Sequence, residues 1–128
     1  MSLSAVLVAL ALTHTTPPEM RVEAATHVEE LKTRLLYRQA VEVARCWEEG
    51  VIDDPREADL GAILGWGFAP WTGGPVSMMD EIGLKTFVET CDRLAEQYGD
   101  RFKVPQLLRD MAAKGETFYG RFAPKKAA

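Results

Sequence analysis

The segment Gly65-Trp66-Gly67-Phe68-Ala69-Pro70-Trp71-Thr72-Gly73-Gly74-Pro75 restricts the folds open to this chain more than any other. It places four glycines, two prolines and three large aromatics in one short stretch. Connecting loops are ordinarily polar because their backbone needs water or partners. This one is apolar almost throughout. Glycine admits backbone geometry and close approach that other residues forbid, and proline fixes φ and removes a donor. Such a segment predicts a rigid, partly buried corner whose rings enter a core or meet another surface. It holds no acid, base or thiol, so it reads as architecture or recognition before chemistry.

On both sides of this corner the chain is punctuated as helices. Thr16-Pro17-Pro18-Glu19 carries a cap, a first-turn proline and a capping-box acid. Val28, Leu31, Leu35, Leu36, Ala40, Val43 and Trp47 then keep a helical apolar stripe. This predicts a helix over about 17–49, closed by Gly50. Its length exceeds that of most globular helices, and the stripe slips near Leu35, which points to a kink or break near residues 30–34. Asp54-Pro55-Arg56-Glu57 repeats the start signal for a second helix, expected to end at Gly65. Pro75–Ile82 stops at Gly83, Leu84–Tyr98 at Gly99, and a helix opened by Pro105 at Gly115. Phe118, Tyr119 and Phe122 are expected to fold back on the body. No segment sustains apolar/polar alternation. The fold class is therefore all-α, a compact domain of five or six helices. The division is an apolar N-terminal helix or appended segment over 1–16, the helical domain over 17–122 and a tail over 123–128.

A chain of 128 residues with 47% hydrophobic and 27% charged content suits one folded domain rather than disorder. The net charge of −4 and the scattered basic residues argue against a nucleic-acid partner. The run Leu3–Leu12 is too short to cross a membrane, so it is expected to seek another apolar surface and to drive self-association. Cys46 and Cys91 are far apart, form no ligand cluster, and read as buried thiols of a reducing compartment.

No catalytic or metal-binding set emerges. His14 and His27 have no matching nucleophile, and no HExxH or EF-hand pattern occurs. Gly65-x-Gly67 lacks the third glycine and the preceding strand of a dinucleotide fingerprint. Glu48 and Glu49 read as a solvated face, and Asp53 and Asp54 belong to the next helix start. Asp59 and Asp80 flank the corner, with Asp80 placed to accept hydrogen bonds from its amides. Glu42 sits among apolar neighbours with Arg38 and Arg45 one helical turn away. Trp47, Phe87 and Tyr98 are explained by core packing. Three rings crowded into one loop are explained less well, so at least one of Trp66, Phe68 and Trp71 is expected to face a partner.

The order of these residues resembles a known family. It runs Arg34-Leu35-Leu36, Glu42-Val43-Ala44-Arg45-Cys46-Trp47-Glu48-Glu49-Gly50, Asp54-Pro55-x-x-Ala58-Asp59-Leu60-Gly61, Gly65-x-Gly67-Phe68-x-Pro70-x-x-Gly73-Gly74-Pro75 and Asp80-x-x-Gly83. Tyr98-Gly99-Asp100-Arg101-Phe102 and Met111-Ala112-x-x-Gly115-x-x-Phe118-Tyr119 continue it. Over about residues 30–120 the chain is similar to the C-terminal helical domain of 3-hydroxyacyl-CoA dehydrogenases. It looks most like the final repeat of the multifunctional fatty-acid oxidation α-subunit.

The resemblance implies a 6-phosphogluconate-dehydrogenase-C-terminal-like fold. It also implies a cytoplasmic β-oxidation enzyme that joins enoyl-CoA hydratase and NAD-dependent dehydrogenase activities. The hydratase domain, the NAD domain and a first helical repeat would lie upstream. The Asn-Arg pair of the family's catalytic repeat reads Thr33-Arg34 here, as in a non-catalytic second copy. No catalytic, cofactor-binding or metal residue carries over, and this chain alone is expected to be inactive. Arg34, Glu42, Trp66, Phe68, Trp71, Gly73 and Gly74 become candidates for contact with other domains, the first helical repeat above all, and a thiolase subunit is a further implied partner. The alternative is a stand-alone helical module that binds another protein through the corner.

Overall fold

The computed structural model describes the backbone of residues 18–122 and the side chains of residues 27–122. The expected apolar segment 1–16, the Thr16 cap, His14 and the tail 123–128 lie outside the described residues. The chain divides into two compact units, Met1–Thr33 and Arg34–Ala128. In the first, Lys32 pairs with Glu29 at 2.6 Å, and the Thr33 hydroxyl donates to the Glu29 carbonyl. Val28 and Leu31 are exposed there.

Six α-helices and two 3-10 turns follow one another, and no strand occurs among the described residues. They are α1 (Pro18–Glu48), α2 (Pro55–Trp66), α3 (Pro75–Ile82), α4 (Leu84–Tyr98), α5 (Gln106–Lys114) and α6 (Phe118–Arg121). The 3-10 turns are Pro70–Thr72 and Asp100–Phe102. α1 is one continuous element, without the break expected near residues 30–34. With no Gly or Pro inside it after Pro18, a slip in the apolar stripe alone does not interrupt its hydrogen-bond ladder.

α1 ends as expected at Gly50, which takes φ +73° while Val51 N–H reaches back to the Cys46 carbonyl. α2 starts as expected at Asp54, whose carboxylate accepts the Arg56 amide at 2.9 Å. Its end differs from expectation. The helix passes through Gly65 and stops at Trp66, because the left-handed position falls on Gly67 (φ +76°), where Phe68 N–H closes the end onto the Ala62 carbonyl. Gly61 and Gly65 are thus ordinary interior positions of α2.

The core of the second unit gathers Val41, Ala44 and Trp47 of α1, Ala58 and Ala62 of α2, Val76 and Met79 of α3, Phe87 and Cys91 of α4, and Leu108 and Met111 of α5. Phe68 from the corner is 1% exposed, and burying such a ring stabilises by roughly 1.5–3 kcal/mol. Tyr37 stacks on Phe87 at 4.5 Å, and Trp47 meets Phe118 at 5.2 Å and Phe122 at 5.0 Å. The C-terminal aromatics therefore do fold back on the body.

Two classes of glycine separate sharply. Gly74 takes φ +116°, and a methyl group there would lie 2.4 Å from Asp59 Oδ1. A methyl at Gly65 would meet nothing within 4 Å in ordinary helical backbone. Gly74→Ala is expected to destabilise the fold by at least ~2 kcal/mol. Gly65→Ala is expected to stabilise it by up to ~1 kcal/mol. Urea unfolding of both variants checks this, and similar effects at the two positions would contradict it.

Candidate domain interface

The corner is held from inside by one carboxylate. Asp59, on the inward face of α2, is 3% exposed. Its Oδ1 accepts the Val76 amide at 2.8 Å, and its Oδ2 accepts the Ser77 hydroxyl at 2.6 Å and the Tyr119 hydroxyl at 2.9 Å. The Ser77 amide is shared between both oxygens, at 3.3 and 3.2 Å. Val76 and Ser77 open α3, where unpaired amides and the positive end of the helix favour a carboxylate. Asp59 therefore ties α2, the start of α3 and α6 into one knot. Gly74 is the position over which its carboxylate lies, which is why no side chain fits there.

Asp80 does accept backbone amides, but those of Phe118 (2.8 Å) and Tyr119 (3.1 Å) at the start of α6, not those of the corner. Burial raises its pKa above the ordinary 3.8, and the neighbouring Asp59 adds to this, while the two amides oppose it. Burial, and then the bond to Asp59, likewise raises the pKa of the Tyr119 phenol.

Outside this knot the corner is a fixed turn. Pro70–Thr72 forms the 3-10 turn, the Thr72 hydroxyl donates to the Ala69 carbonyl at 2.7 Å, and it accepts the Gly74 amide at 3.2 Å. Gly73 closes the turn with φ +80°, and a methyl there would press on Ser77 Cβ at 3.1 Å. The turn divides its three rings. Phe68 points into the core, whereas Trp66 and Trp71 are 56% and 84% exposed. The Trp66 indole N–H donates to Gln39 Oε1 at 3.0 Å. Trp71 edges a shallow groove of about 470 Å³ lined by Thr72, Gly73, Ser77, Met78, Glu81 and Ile82.

Arg34 and Glu42 lie elsewhere on α1. The Arg34 guanidinium sits 3.8 Å over the Tyr98 ring. Glu42 accepts from both Arg38 and Arg45, and Arg45 also donates to the Lys103 carbonyl at 2.9 Å. The hydrogen bond from Arg38 is the largest cause holding the Glu42 carboxyl below its ordinary value. Leu35, read from the sequence as part of the apolar stripe, is 66% exposed, and sequence reasoning missed Leu60 and Leu64, which are 57% and 81% exposed. It also missed Ser77 and Tyr119 as partners of Asp59.

Within this knot, Asp59 and Asp80 are taken up by backbone amides and hydroxyls. The Cys91 thiol is buried and pushed up to about 12, so it is inert as a nucleophile. Among the described residues no group of His, Cys, Asp and Glu is placed to hold a metal, and no helix is long and apolar enough to cross a membrane. Gly65-x-Gly67 lies at the C-terminal end of α2, where carbonyls and the negative end of the helix repel phosphate. The residues there do not fit the pyrophosphate of a dinucleotide.

Comparison with known proteins now decides the family. Residues 31–123 match the model of the 3-hydroxyacyl-CoA dehydrogenase, C-terminal domain. The chain belongs to this family. It is 46% identical over 89 residues to the fatty acid oxidation complex subunit alpha of Shewanella loihica, covering 70% of this chain and 13% of that protein. It is 47% identical over 78 residues to the subunit of the same name from Vibrio vulnificus, covering 61% of this chain and 11% of that protein. The Acinetobacter baumannii subunit is 39% identical over 92 residues, covering 72% of this chain and 13% of that protein. The chain thus spans about an eighth of the length of these relatives. The matched part of each relative is a small share of a much longer polypeptide.

The arginine clamp on Glu42 gives a signed pH dependence. A carboxyl whose folded pKa is depressed stabilises fully above its ordinary value of 4.5, and this is lost as the pH falls through the folded pKa. Chemical unfolding at stepped pH should therefore show the gap between wild type and Glu42→Gln constant near neutrality and closing below about pH 4.5. A gap that widened on acidification would rule the clamp out.

Proposed function

We propose that this chain serves as the terminal helical domain of an NAD-dependent 3-hydroxyacyl-CoA dehydrogenase of the multifunctional β-oxidation type. Its task there is to pack against neighbouring domains, the first helical repeat above all, and to brace the domains that carry the chemistry. The parent enzyme would oxidise 3-hydroxyacyl-CoA to 3-oxoacyl-CoA in the cytoplasm and would also carry enoyl-CoA hydratase activity. A thiolase subunit is a further partner on this reading.

The observation that carries the proposal is Trp71, 84% exposed on a turn fixed by Pro70, Thr72, Gly73 and the Asp59–Gly74 contact. An indole left in water on so rigid a support suits an interface anchor, since little ordering is lost when it docks. The carboxylates and the low-reactivity thiol give the same direction: they organise structure rather than meet a substrate. Hydride transfer and NAD binding are accordingly assigned to domains outside this chain. Arg34, Trp66 and Gly73 extend the proposed contact surface, while Phe68 and Gly74 shape it from beneath and Glu42 anchors α1 to its own arginines.

In the full-length enzyme, Trp71→Ala should lower thermal stability or weaken domain association by an amount typical of an interface anchor, ~2 kcal/mol or more. The kcat for acetoacetyl-CoA reduction by the folded fraction should change less than about threefold, since the chemical step lies elsewhere. Unchanged stability together with a large loss of kcat would place Trp71 in the chemistry and overturn the proposal.

A further inference from the structure

The groove beside Trp71 holds one charge and nothing to balance it. Its lining joins the exposed indole of Trp71 to the apolar side chains of Met78 and Ile82. The hydroxyls there are already engaged. That of Thr72 donates to the Ala69 carbonyl, and that of Ser77 donates to Asp59. This leaves the carboxylate of Glu81, which is exposed and makes no hydrogen bond or ion pair with the described residues. Glu81 is also poorly placed for its own helix. It stands in the last turn of α3, where free carbonyls and the negative end of the helix disfavour an acid. No basic residue stands in that turn to offset it. Its neighbour Asp80 is engaged by the amides of α6, and Glu81 has no such partner among the described residues.

An unbalanced carboxylate and an uncovered indole in one groove share a complement, a cation. An ammonium meets a ring or an acid as a compact point charge. A guanidinium is planar, so it can lie flat on an indole while its edge donates to a carboxylate. The net charge of −4 on this chain favours a basic partner as well. We propose that the groove receives an arginine side chain from the domain that covers Trp71, its guanidinium on the indole and paired with Glu81. The inference rests on the reading of Trp71 as an interface anchor and adds the chemistry of what docks there. The unfavourable charge at the end of α3 is then relieved only on docking. Glu81 thereby selects a basic partner and rejects an acidic one.

The test compares Glu81→Gln in the 128-residue chain and in the full-length enzyme by thermal unfolding. In the isolated chain the midpoint should hold or rise slightly, because a negative charge leaves the negative end of α3. In the full-length enzyme it should fall by about 2 °C or more at low salt. That fall should shrink by at least half in about 1 M NaCl, where the screening length is about 3 Å. Glu81→Arg should lower the full-length midpoint further, by setting like charges together. An unchanged midpoint for Glu81→Gln in the full-length enzyme would overturn the proposal. So would an equal fall in both proteins, which would assign Glu81 to its own unit or to a second copy. If Trp71→Ala lowers the full-length midpoint and Glu81→Gln does not, the anchor reading stands and the arginine falls. If neither variant lowers it, both fall. Zero-length carbodiimide coupling of Glu81 to a lysine would put an ammonium in the groove and likewise contradict the assignment.

Discussion

Asp59 brings a carboxylate into a position only 3% exposed, and burying such a group is costly unless hydrogen bonds replace its water. Among the described residues the replacements are two amides at the start of α3, the Ser77 hydroxyl and the Tyr119 hydroxyl. Each donor belongs to a part of the chain remote from α2. Satisfying one side chain therefore fixes where α3 begins and where α6 docks. The same carboxylate occupies the space a side chain at position 74 would need, so the corner closes only with glycine there. Asp80 repeats the device on a smaller scale, by capping the amides of α6. Phe118 can then lie fully buried against Trp47.

This knot converts a sequence rich in conformational freedom into a rigid support. Gly73 and Gly74 supply dihedrals that other residues resist, and the hydrogen bonds of Asp59 and Thr72 remove the remaining freedom. On that support Phe68 faces the core and Trp71 faces water. The contrast between two rings three residues apart is the link from fold to function. One ring holds the corner to its own unit, and the other is exposed, as the proposed docking role requires. The relatives, of which this chain spans about an eighth, are long enough to hold the neighbour that the proposed role requires.

Much of this was legible in the sequence because it rests on local rules. The left-handed stops at Gly50 and Gly115, the Asp54-Pro55 start and the inward stripe of α4 each follow from a few adjacent residues. The end of α2 was misplaced because Gly65 and Gly67 both offered a stop, and local signals cannot choose between two glycines a residue apart. The knot itself was hidden for a different reason. Asp59 meets partners 17, 18 and 60 residues away, and no pattern within one helix marks an acid as the acceptor for distant amides. Asp80 was read as an amide acceptor, but its partners were sought in the corner when they stand 38 and 39 residues on. The outward leucines of α2 drew no reading of their own in the sequence, and Leu60 and Leu64 lie opposite the buried Ala58 and Ala62.

The proposed bracing role requires Trp71 to be open to water in this chain and covered by a neighbouring domain in the longer enzyme proposed above. Incorporating 5-fluorotryptophan gives each of the three tryptophans its own fluorine resonance, assigned by single Trp→Phe replacements. The shift of each resonance between H₂O and D₂O reports its contact with solvent. The account predicts a large solvent shift for Trp71 in the isolated chain and its near loss in the full-length polypeptide, with Trp47 shielded in both. A Trp71 resonance equally solvent-sensitive in both proteins would contradict it.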